Sequence, residues 1–470
     1  MAAKAREAAN IQRTRGISDT MGATVFDEGV RSRFNQGLFI VPFLWFKESL
    51  DLKEVQQHLL AKLSPIMRFR SRMIPVKDTL SVASAYQEMG PGELEASISK
   101  MVVEERNIKT TADLDKFVSE MYNTGWDPEL PLWRGYVIND LEDGRSLLLM
   151  KIDHAIGDGV ALLSVLDCVV DKTEDSNFTG LPEKSRSRMP TPPSCLAGCV
   201  MQMKGCWRAF YGPLVKDNLP GDPPNRLKCA DARNPGKTKA VCQTPPLKLE
   251  AVKKIKNQIP EATVNDVLMT LTCLTLREYF LKYEPSSLTK QVRATMPISM
   301  RKGEDDVYDQ TVFGNNFSQG HLYFPLQISD PMEMFKAMKA QIDVIKVSPE
   351  PLVRDKIVKF ITTQSCIPQS FVAALLLDAF GKVTIMLSNV VGPLNKVNIM
   401  GKELDDLTFY AMVPLGLYFG IVQYNGEIKV GLCVDADVEP EPSQLSECWV
   451  EAFRKLQGAA DGLSNCSCCK

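Results

Sequence analysis

The amino-acid sequence predicts an α/β protein built from two lobes. Apolar runs of strand length alternate with segments whose apolar residues recur at helical spacing, both before residue 171 and after residue 246. Between these parts, residues 171–246 contain 11 of the 29 prolines and few periodic segments, which is typical of a long connection. We therefore predict a first lobe at residues 21–180, a Pro-rich interlobe connection at 181–246 and a second lobe at 247–460.

The first lobe contains predicted strands and helices in mixed order. Residues 38–46 form an apolar run that predicts a buried strand, in which Pro42 indicates an edge or a bulge. Asp51 and Glu54 have capping-box spacing, and the apolar residues that follow share one helical face. His58 lies on this helix among glutamines, which favours a surface position. The remaining predicted elements are a helix near 111–122, a strand at 146–152 and a helix at 160–170.

The second lobe shows the same alternation. Residues 263–283 predict a long helix opened by Asn265 and Asp266, and residues 292–298 predict a strand that contains Pro297. The further predicted elements are a strand at 313–317, helices at 331–346 and 351–380, strands at 382–389, 408–413, 417–424 and 427–434, and a helix at 444–456.

The termini and the cysteines indicate the compartment. Residues 1–20 are rich in Ala and Arg and lack an apolar segment, so we predict a disordered leader, with a transit peptide as the alternative. No stretch of about 18 uncharged apolar residues occurs, and we predict no transmembrane helix. The 13 cysteines are scattered and form no paired C-x-x-C sets, which favours a reducing, cytosol-facing location over a disulfide framework.

Two cysteine-bearing segments have the composition of lipid-binding regions. Residues 195–214 combine aromatic residues with Lys204 and Arg208, so this segment either packs on the body of the protein or binds at a membrane surface. Residues 461–470 form a Cys-rich tail in which the cysteines are either S-acylated or free thiols.

The most informative sequence is His154-Ala155-Ile156-Gly157-Asp158-Gly159, which follows a predicted strand. A neutral imidazole can take a proton from a hydroxyl group at physiological pH, and loops after strands are where catalytic groups collect. Gly157 and Gly159 allow the backbone to turn without Cβ clashes. The alternative interpretation is a surface histidine beside a simple Asp-Gly turn.

Composition and missing motifs exclude several function classes. The net charge of −2 gives no electrostatic basis for nucleic-acid binding. The sequence contains no P-loop and no G-x-S-x-G elbow, which disfavours ATP use and an α/β-hydrolase. The three histidines are far apart and no H-E-x-x-H occurs, so no metal site is predicted. A cysteine nucleophile is possible in principle, but no cysteine lies beside the motif histidine.

Several separated motifs resemble those of the wax ester synthase/diacylglycerol acyltransferase family, within the broader fold of CoA-dependent acyltransferases. The resemblance covers roughly residues 34–456, and the motifs occur in the order of the family. One position departs from it, because many members carry two adjacent histidines and here the first is Asp153. The motifs are Pro131-Leu132-Trp133, His154 to Gly159, Asn265-Asp266, Pro297 with Arg301, Gly314-Asn315, and Ser388-Asn389-Val390-Val391-Gly392-Pro393.

The resemblance implies a chloramphenicol acetyltransferase-like fold, in which two lobes of mixed sheets and helices enclose a tunnel. It implies that His154 is the general base and that Asp158 points away from the substrate and pairs with an arginine, for which Arg301 is the candidate. Asn265 and Asn389 are candidates for contacts with the oxyanion or the CoA arm. Asp153 either raises the pKa of His154 or points to the opposite face of the strand.

The function implied is O-acyl transfer from acyl-CoA to a fatty alcohol, forming wax esters, and also to diacylglycerol, forming triacylglycerol. Acyl-CoA is a substrate, and no cofactor is expected. The resemblance suggests a peripheral protein on the cytoplasmic face of the endoplasmic reticulum or on a lipid droplet. The alternatives are an acyltransferase for smaller alcohols or amines, and a non-catalytic protein that binds CoA or lipid. Plant-type acyltransferases of the first kind carry an Asp-Phe-Gly-Trp-Gly motif, which is absent here.

Overall fold

The computed structural model describes residues 11–13, 38–75, 84–171, 200, 203–204, 207, 221–229, 236, 238–301, 313–363, 374 and 378–464. The strands form two larger sheets and a three-stranded sheet of β1, β4 and β3, so the α/β prediction is confirmed. The strands are β1 (Ile11–Arg13), β2 (Phe39–Phe46), β3 (Ser71–Pro75), β4 (Ser84–Glu88), β5 (Val102–Glu104), β6 (Trp133–Ile138), β7 (Ser146–Asp153), β8 (Lys239–Gln243), β9 (Leu247–Lys248), β10 (Val292–Ser299), β11 (Phe317–Phe324), β12 (Ile385–Val391), β13 (Asn398–Ile399), β14 (Lys402–Met412), β15 (Leu417–Tyr424) and β16 (Glu427–Asp435). The helices are α1 (Leu52–Leu63), α2 (Pro91–Met101), α3 (Thr111–Met121), α4 (Gly159–Val169), α5 (Leu249–Lys256), α6 (Val264–Tyr283), α7 (Pro331–Val347), α8 (Glu350–Thr363) and α9 (Ser443–Ser464).

The first sheet has the strand order β13-β14-β2-β7-β6-β5. Its strands pair antiparallel, except that β5 and β6 run parallel. Helices α1 and α4 pack against each other beside this sheet, and His58 Nε2 on α1 hydrogen-bonds the Val169 carbonyl oxygen at the end of α4, at 2.7 Å. His58 is therefore half-buried between two helices, and its predicted surface position is wrong.

Pro42 lies in the central strand β2, so the predicted edge or bulge is also wrong. Proline has no N–H group and cannot donate to a ladder. The pairing between β2 and β7 is accordingly interrupted after Ile40 with Ile152 and resumes in the same register at Phe43 with Leu149. The strand tolerates this gap because β7 and β14, its neighbours on both sides, keep their other pairings with it.

The second sheet has the order β11-β10-β12-β15-β16-β8, and β9 also pairs with β16. β12 runs parallel to β10 and β15, whereas the other pairs are antiparallel. Helix α6, which is buried on almost all sides, packs between α7 and α9. The described part of the connection is tied to this sheet, because Arg293 Nε donates to Asp222 Oδ1 at 2.6 Å.

Each large sheet contains a strand from outside its predicted lobe. β14 pairs with β2 in the first sheet, although it belongs to the second half of the sequence. β8 pairs with β16 in the second sheet, although it precedes residue 247. The sheets therefore extend across the predicted boundaries, because an apolar pattern predicts that a strand is buried but does not identify its neighbours.

Several element bounds also differ from the predictions. Residues 313–316 form a loop and the strand begins at Phe317, while the strand predicted from residue 382 begins at Ile385. In the range 351–380, which is predicted to be helical, the described residues 351–363, 374 and 378–380 are helical, and the others lie outside the described residues. Residues 11–13, predicted within the disordered leader, pair with β4 as β1; the rest of the leader lies outside the described residues. Strands β3, β4, β5 and β6 and helix α2 were not predicted, because they are short or lack clear periodicity.

None of the helices in the described part of the chain combines the length and apolar character that crossing a membrane requires.

Candidate active site

A cavity of about 340 Å³ lies where the two sheets meet. Ile40, Pro42 and Leu44 of β2, with Leu38 just before the strand, line it, since alternate side chains of a strand share a face. Met150 and Ile152 of β7 and alternate residues of β14 continue this apolar surface. Helices α1 and α4 cover it, and β12 and β15 of the second sheet contribute another wall. A cavity lined by residues of both sheets therefore lies where the sequence predicts a tunnel between the lobes.

The polar side chains of the cavity come from few places. They belong to the His154 loop, to the ends of β10 and β11 beside it, to α8, and to a short stretch of the second sheet. Within the described residues, no group of three or more His, Cys, Asp or Glu side chains has the arrangement of a metal site. The polar lining residues are His154, Asp158, Ser299, Arg301, Ser318, Gln319, Arg354, Asp355, Ser388, Asn389 and Tyr418.

His154 is held at the end of β7 with one side of its ring towards the cavity. Its backbone N–H donates to the Leu38 carbonyl oxygen at 2.7 Å, which ties it to the neighbouring strand. Nδ1 is buried, whereas part of the residue is exposed in the cavity, so Nε2 is the nitrogen that a substrate can reach. Phe317 packs edge-on against the imidazole, with ring centroids 6.0 Å apart.

The environment keeps this imidazole neutral. Burial lowers the pKa of His154 from its ordinary value of 6.5, and the carboxylates of Asp158 and Asp153 partly oppose the shift. At pH 7 the ring is therefore in the form that accepts a proton. Because the pKa is lower in the folded than in the unfolded chain, protons bind the unfolded chain preferentially. The contribution of His154 to the free energy of unfolding accordingly falls as the pH drops below about 6.5.

Asp158 holds the loop through both of its carboxylate oxygens. Its Oδ1 accepts hydrogen bonds from the N–H groups of Val160 at 3.1 Å and Ala161 at 3.0 Å, which caps α4. Its Oδ2 accepts from Arg301 Nη1 at 2.8 Å and from Asn316 N at 2.9 Å. The predicted pairing with Arg301 is confirmed, and only 6% of the Arg301 side chain and 8% of the Asp158 side chain are exposed.

A loop of the second lobe, residues 313–316, lies against the His154 loop. Asn315 Nδ2 donates to the His154 carbonyl oxygen at 2.7 Å, and Arg301 Nη2 donates to the Gly314 carbonyl oxygen at 2.6 Å. Gly314 has a φ of 133°, and a Cβ atom there would lie 2.7 Å from the Arg68 guanidinium. Glycine is therefore required at this position for both its backbone conformation and its close approach to Arg68.

Two residues that the sequence analysis missed hold the other side of the His154 loop. Arg68 Nη1 donates to the Ala155 carbonyl oxygen at 2.8 Å, and the Tyr86 hydroxyl donates to the same oxygen at 2.7 Å. Both side chains are buried. A single arginine in the short apolar stretch Met67–Phe69 was the only signal in the sequence, because the partners lie some 70 to 90 positions away.

Asp153 combines both of the alternatives considered for it. Since Met150 and Ile152 line the cavity, Asp153 and Lys151 point to the opposite face of β7. Asp153 Oδ1 accepts from the Ala155 N–H at 2.9 Å, and its charge still raises the pKa of His154 through space. Burial lowers the pKa of Lys151 to about 8, and Asp153 opposes that shift.

The two motif glycines provide space rather than unusual backbone angles. Neither Gly157 nor Gly159 has a positive φ. A Cβ atom on Gly157 would lie 2.9 Å from the Ala161 side chain, and one on Gly159 would lie 3.2 Å from Val390 of the second sheet. Gly159 thereby allows α4 to begin close to the other lobe.

Of the two candidate asparagines, only Asn389 lines the cavity. Its Nδ2 donates to Asn265 Oδ1 at 3.0 Å, so Asn265 orients Asn389 instead of facing the cavity itself. Asp266 is buried and forms a capping box with Thr263 at the start of α6. The structure thus brings Asn265 and Asn389 together and gives Asp266 a structural position.

The remaining motif residues support the walls. Trp133 Nε1 donates to the carbonyl oxygen of Phe69, a cavity residue, at 2.8 Å, and the Pro131 carbonyl accepts from the Trp133 N–H at 2.9 Å. A Cβ atom on Gly392 would lie 2.7 Å from the Gln423 carbonyl oxygen. Pro393 is buried beside it and accepts from the Asn425 N–H at 3.0 Å.

Two family models match the chain. The model described as the wax ester synthase/diacylglycerol acyltransferase catalytic domain matches residues 47–207, and the WS/DGAT C-terminal domain matches residues 313–457. Together they cover about two thirds of the sequence. Wax ester synthase/diacylglycerol acyltransferase 5 of Arabidopsis thaliana is 23% identical over 392 residues, which are 75% of this chain and 76% of that protein.

Solved structures show the same two-lobed fold. The wax ester synthase/diacylglycerol acyltransferase from Marinobacter aquaeolei VT8 has a TM-score of 0.62 at 15% identity, over 93% of this chain and 98% of that one. The starter condensation domain of rhizomide synthetase, solved in complex with C8-CoA and Leu-SNAC, has a TM-score of 0.57 at 10% identity, over 98% and 97%. The predicted fold class is confirmed.

Proposed function

Because this chain belongs to the wax ester synthase/diacylglycerol acyltransferase family, we propose that it transfers a long acyl chain from acyl-CoA to the hydroxyl group of a fatty alcohol or diacylglycerol. The observation that carries this proposal is that His154 lines a largely apolar cavity while its Nδ1 is buried, which leaves Nε2 as the nitrogen available to a substrate. An apolar lining of this kind suits a lipid chain whose reacting end must be held beside the base.

The proposed reaction begins when Nε2 of His154 accepts the proton of the acceptor hydroxyl. The hydroxyl oxygen attacks the thioester carbonyl carbon and forms a tetrahedral oxyanion, to which Asn389, held by Asn265, can donate a hydrogen bond. The C–S bond then breaks, and the imidazolium returns its proton to the departing thiolate. Side chains supply the base and the donor, so acyl-CoA enters as a substrate and no resident cofactor is needed.

An acceptor-dependence assay tests the proposal. Release of free CoA from hexadecanoyl-CoA is measured with hexadecanol, with dioleoylglycerol, with a short alcohol and without an acceptor, and the lipid products are separated. We expect CoA release that depends on a lipid acceptor and yields ester in equal amount. Release without any acceptor would indicate a hydrolase, release only with the short alcohol would indicate another substrate class, and no release would indicate a binding protein.

The length of the apolar surface from Leu38 to Leu44 supports the proposal of an acyl chain of about 16 carbons. From Leu38, next to His154, to Leu44 the strand advances by about 20 Å at ~3.3 Å per residue. A staggered alkyl chain with bonds of about 1.5 Å advances by about 1.25 Å per carbon, so about 16 carbons span this length. Leu44 lies at the far end and pairs with Leu407, another lining residue.

Replacing Leu44 with Trp is expected to shorten the accepted acyl chain, because the larger ring fills the far end. The ratio of the hexadecanoyl-CoA rate to the octanoyl-CoA rate should fall by about tenfold, the effect of a few misfitting methylenes. Leu147→Trp is the matched control, since Leu147 is equally buried in the adjacent strand but does not line the cavity. A ratio that stays the same in Leu44→Trp would place the acyl chain elsewhere.

We also propose that the protein binds lipid surfaces peripherally, at the endoplasmic reticulum or a lipid droplet, through residues of the 195–214 segment. Among the described residues of this segment, Val200 is 43%, Met203 71% and Trp207 64% exposed, beside the exposed Lys204. Exposed apolar side chains next to a basic residue suit a lipid interface. S-acylation of the Cys-rich tail remains a prediction, because its cysteines lie outside the described residues.

In vesicle flotation, the double substitution Met203→Glu and Trp207→Glu should reduce the bound fraction several-fold, because both charges oppose insertion. Vesicles of phosphatidylcholine with phosphatidylserine are the probe. Leu281→Glu is the control, since Leu281 is an exposed apolar residue of the second lobe outside this segment. Equal flotation of the double variant and the control would show that this segment does not contribute to lipid binding.

A further inference from the structure

Helix α8 forms part of the wall of the cavity. It packs against β11, and its residues Arg354, Asp355 and Val358 line the cavity. At about 100° per residue, these three side chains lie within about 100° of one another around the helix axis. One face of α8 is therefore turned towards the space in which the proposed substrates meet.

The opposite face of α8 is exposed and largely apolar. Leu352 is 46% and Phe360 65% exposed, and Lys356, which is also exposed, lies midway between them. Because the three residues follow one another in steps of four, their side chains form one stripe along the helix. This stripe is centred about 150° around the axis from the residues that line the cavity.

The charges of α8 are distributed so that the stripe carries a positive one. Both carboxylates of the helix, Glu350 and Asp355, are buried, and Arg354 Nη2 donates to Glu350 Oε1 at 2.8 Å. The stripe thus combines two apolar side chains with the ammonium group of Lys356. This combination suits an anionic lipid surface, into which apolar side chains insert while the ammonium group contacts the headgroups.

The place of the stripe, directly outside the cavity, favours a lipid surface over a protein as its partner. The proposed acceptors are a fatty alcohol and diacylglycerol, whose long apolar chains partition from water into lipid. An α-helix with its side chains is about 10 Å across, so a lipid surface at the stripe would lie only about one helix diameter from the cavity. An acceptor taken up there would cross a short path and avoid water.

We propose that the stripe formed by Leu352, Lys356 and Phe360 docks on an anionic lipid surface, and that the acceptor lipid enters the cavity from this surface beside α8. This inference rests on the proposed function, because it assigns the source of the proposed acceptor. It differs from the proposed role of residues 195–214, which bind the protein to lipid, whereas α8 delivers the acceptor.

The test measures ester formation by the full chain from hexadecanoyl-CoA and dioleoylglycerol, with the dioleoylglycerol delivered in two ways. Vesicles of phosphatidylcholine with phosphatidylserine hold it in a lipid surface, whereas methyl-β-cyclodextrin carries it as single molecules in water. In the double variant Leu352→Glu and Phe360→Glu, we expect turnover on vesicles to fall by about tenfold or more, the equivalent of one buried apolar side chain. Turnover from cyclodextrin should stay near the wild-type rate.

The matched control is the double variant Leu281→Glu and Leu394→Glu, because these leucines are 39% and 46% exposed and lie outside α8. It should keep the wild-type rate with both forms of delivery. Lys356→Glu tests the charge of the stripe. Its turnover should fall by about fivefold on vesicles that contain phosphatidylserine, the usual contribution of one cation near an anionic surface, and little on phosphatidylcholine alone.

The outcomes separate this inference from the function on which it rests. Equal vesicle turnover in the α8 double variant and its control would show that the stripe does not contact lipid. An equal loss with vesicles and with cyclodextrin would place the effect in the cavity or the fold, and a changed oligomeric state in sedimentation would identify a second copy of this chain as the partner. A wild type that forms no ester with either delivery would instead contradict the proposed function.

Discussion

Replacing His154 with alanine is expected to lower the rate of acyl transfer by about 10²–10⁴-fold, the usual contribution of a general base. Acyl-CoA binding should change little, because the substitution to alanine removes only the imidazole ring. The measurement is kcat with hexadecanol, together with the Kd of a non-hydrolysable acyl-CoA analogue. In the wild type the rate should fall as the pH drops through a value below 6.5, because burial lowers the pKa of His154 and protonation then removes the base.

His321→Ala is the control for this experiment, since His321 does not line the cavity. His58 is unsuitable, because its contact with the Val169 carbonyl joins α1 to α4. A folded His154→Ala variant that esterifies hexadecanol at nearly the wild-type rate would refute the mechanism.

Arg301→Ala is expected to lower the free energy of unfolding by about 3–5 kcal/mol, the cost of leaving one partner of a buried ion pair alone. Asp158 would lose its charged partner while it still accepts the N–H groups that begin α4, and the Gly314 carbonyl would lose a donor as well. Activity should fall together with stability. Chemical denaturation checks the first effect, and turnover at a temperature well below Tm checks the second.

Lys253→Ala provides the comparison, because Lys253 forms an exposed pair with Glu250 that is expected to contribute no more than about 1 kcal/mol. If Arg301→Ala unfolded like the wild type but bound acyl-CoA more weakly, Arg301 would belong to the CoA site, and the stabilising role assigned to its ion pair would be wrong.

The parts of the fold and site that could be predicted are those with a local signal. The strand before His154, the helix after the His154 loop and the start of α6 near Asp266 each depend on a few neighbouring residues, and their patterns are visible in the sequence. Positions set by distant partners could not be read in the same way. Arg68 and Tyr86 meet at the Ala155 carbonyl from elements without clear periodicity.

The two asparagine candidates illustrate the same limit. Asn265 and Asn389 are both motif residues, and nothing in their neighbourhoods indicates which one faces the cavity. The distinction depends on a hydrogen bond between α6 and β12, across 124 positions. Likewise, the pattern of residues 408–413 predicts a strand but does not indicate that the strand, observed at Lys402–Met412, pairs with β2 in the first sheet.

The crossing of β14 into the first sheet has a consequence for how the chain is made. β2 pairs with β14 along nearly its whole length, so a nascent chain that ends before residue 402 carries an apolar strand with one open edge. Open apolar edges pair readily with other chains. We therefore expect the edge of β2 to stay open during synthesis until residues 402–412 have been translated, and we expect aggregation to compete with folding before β14 closes this edge.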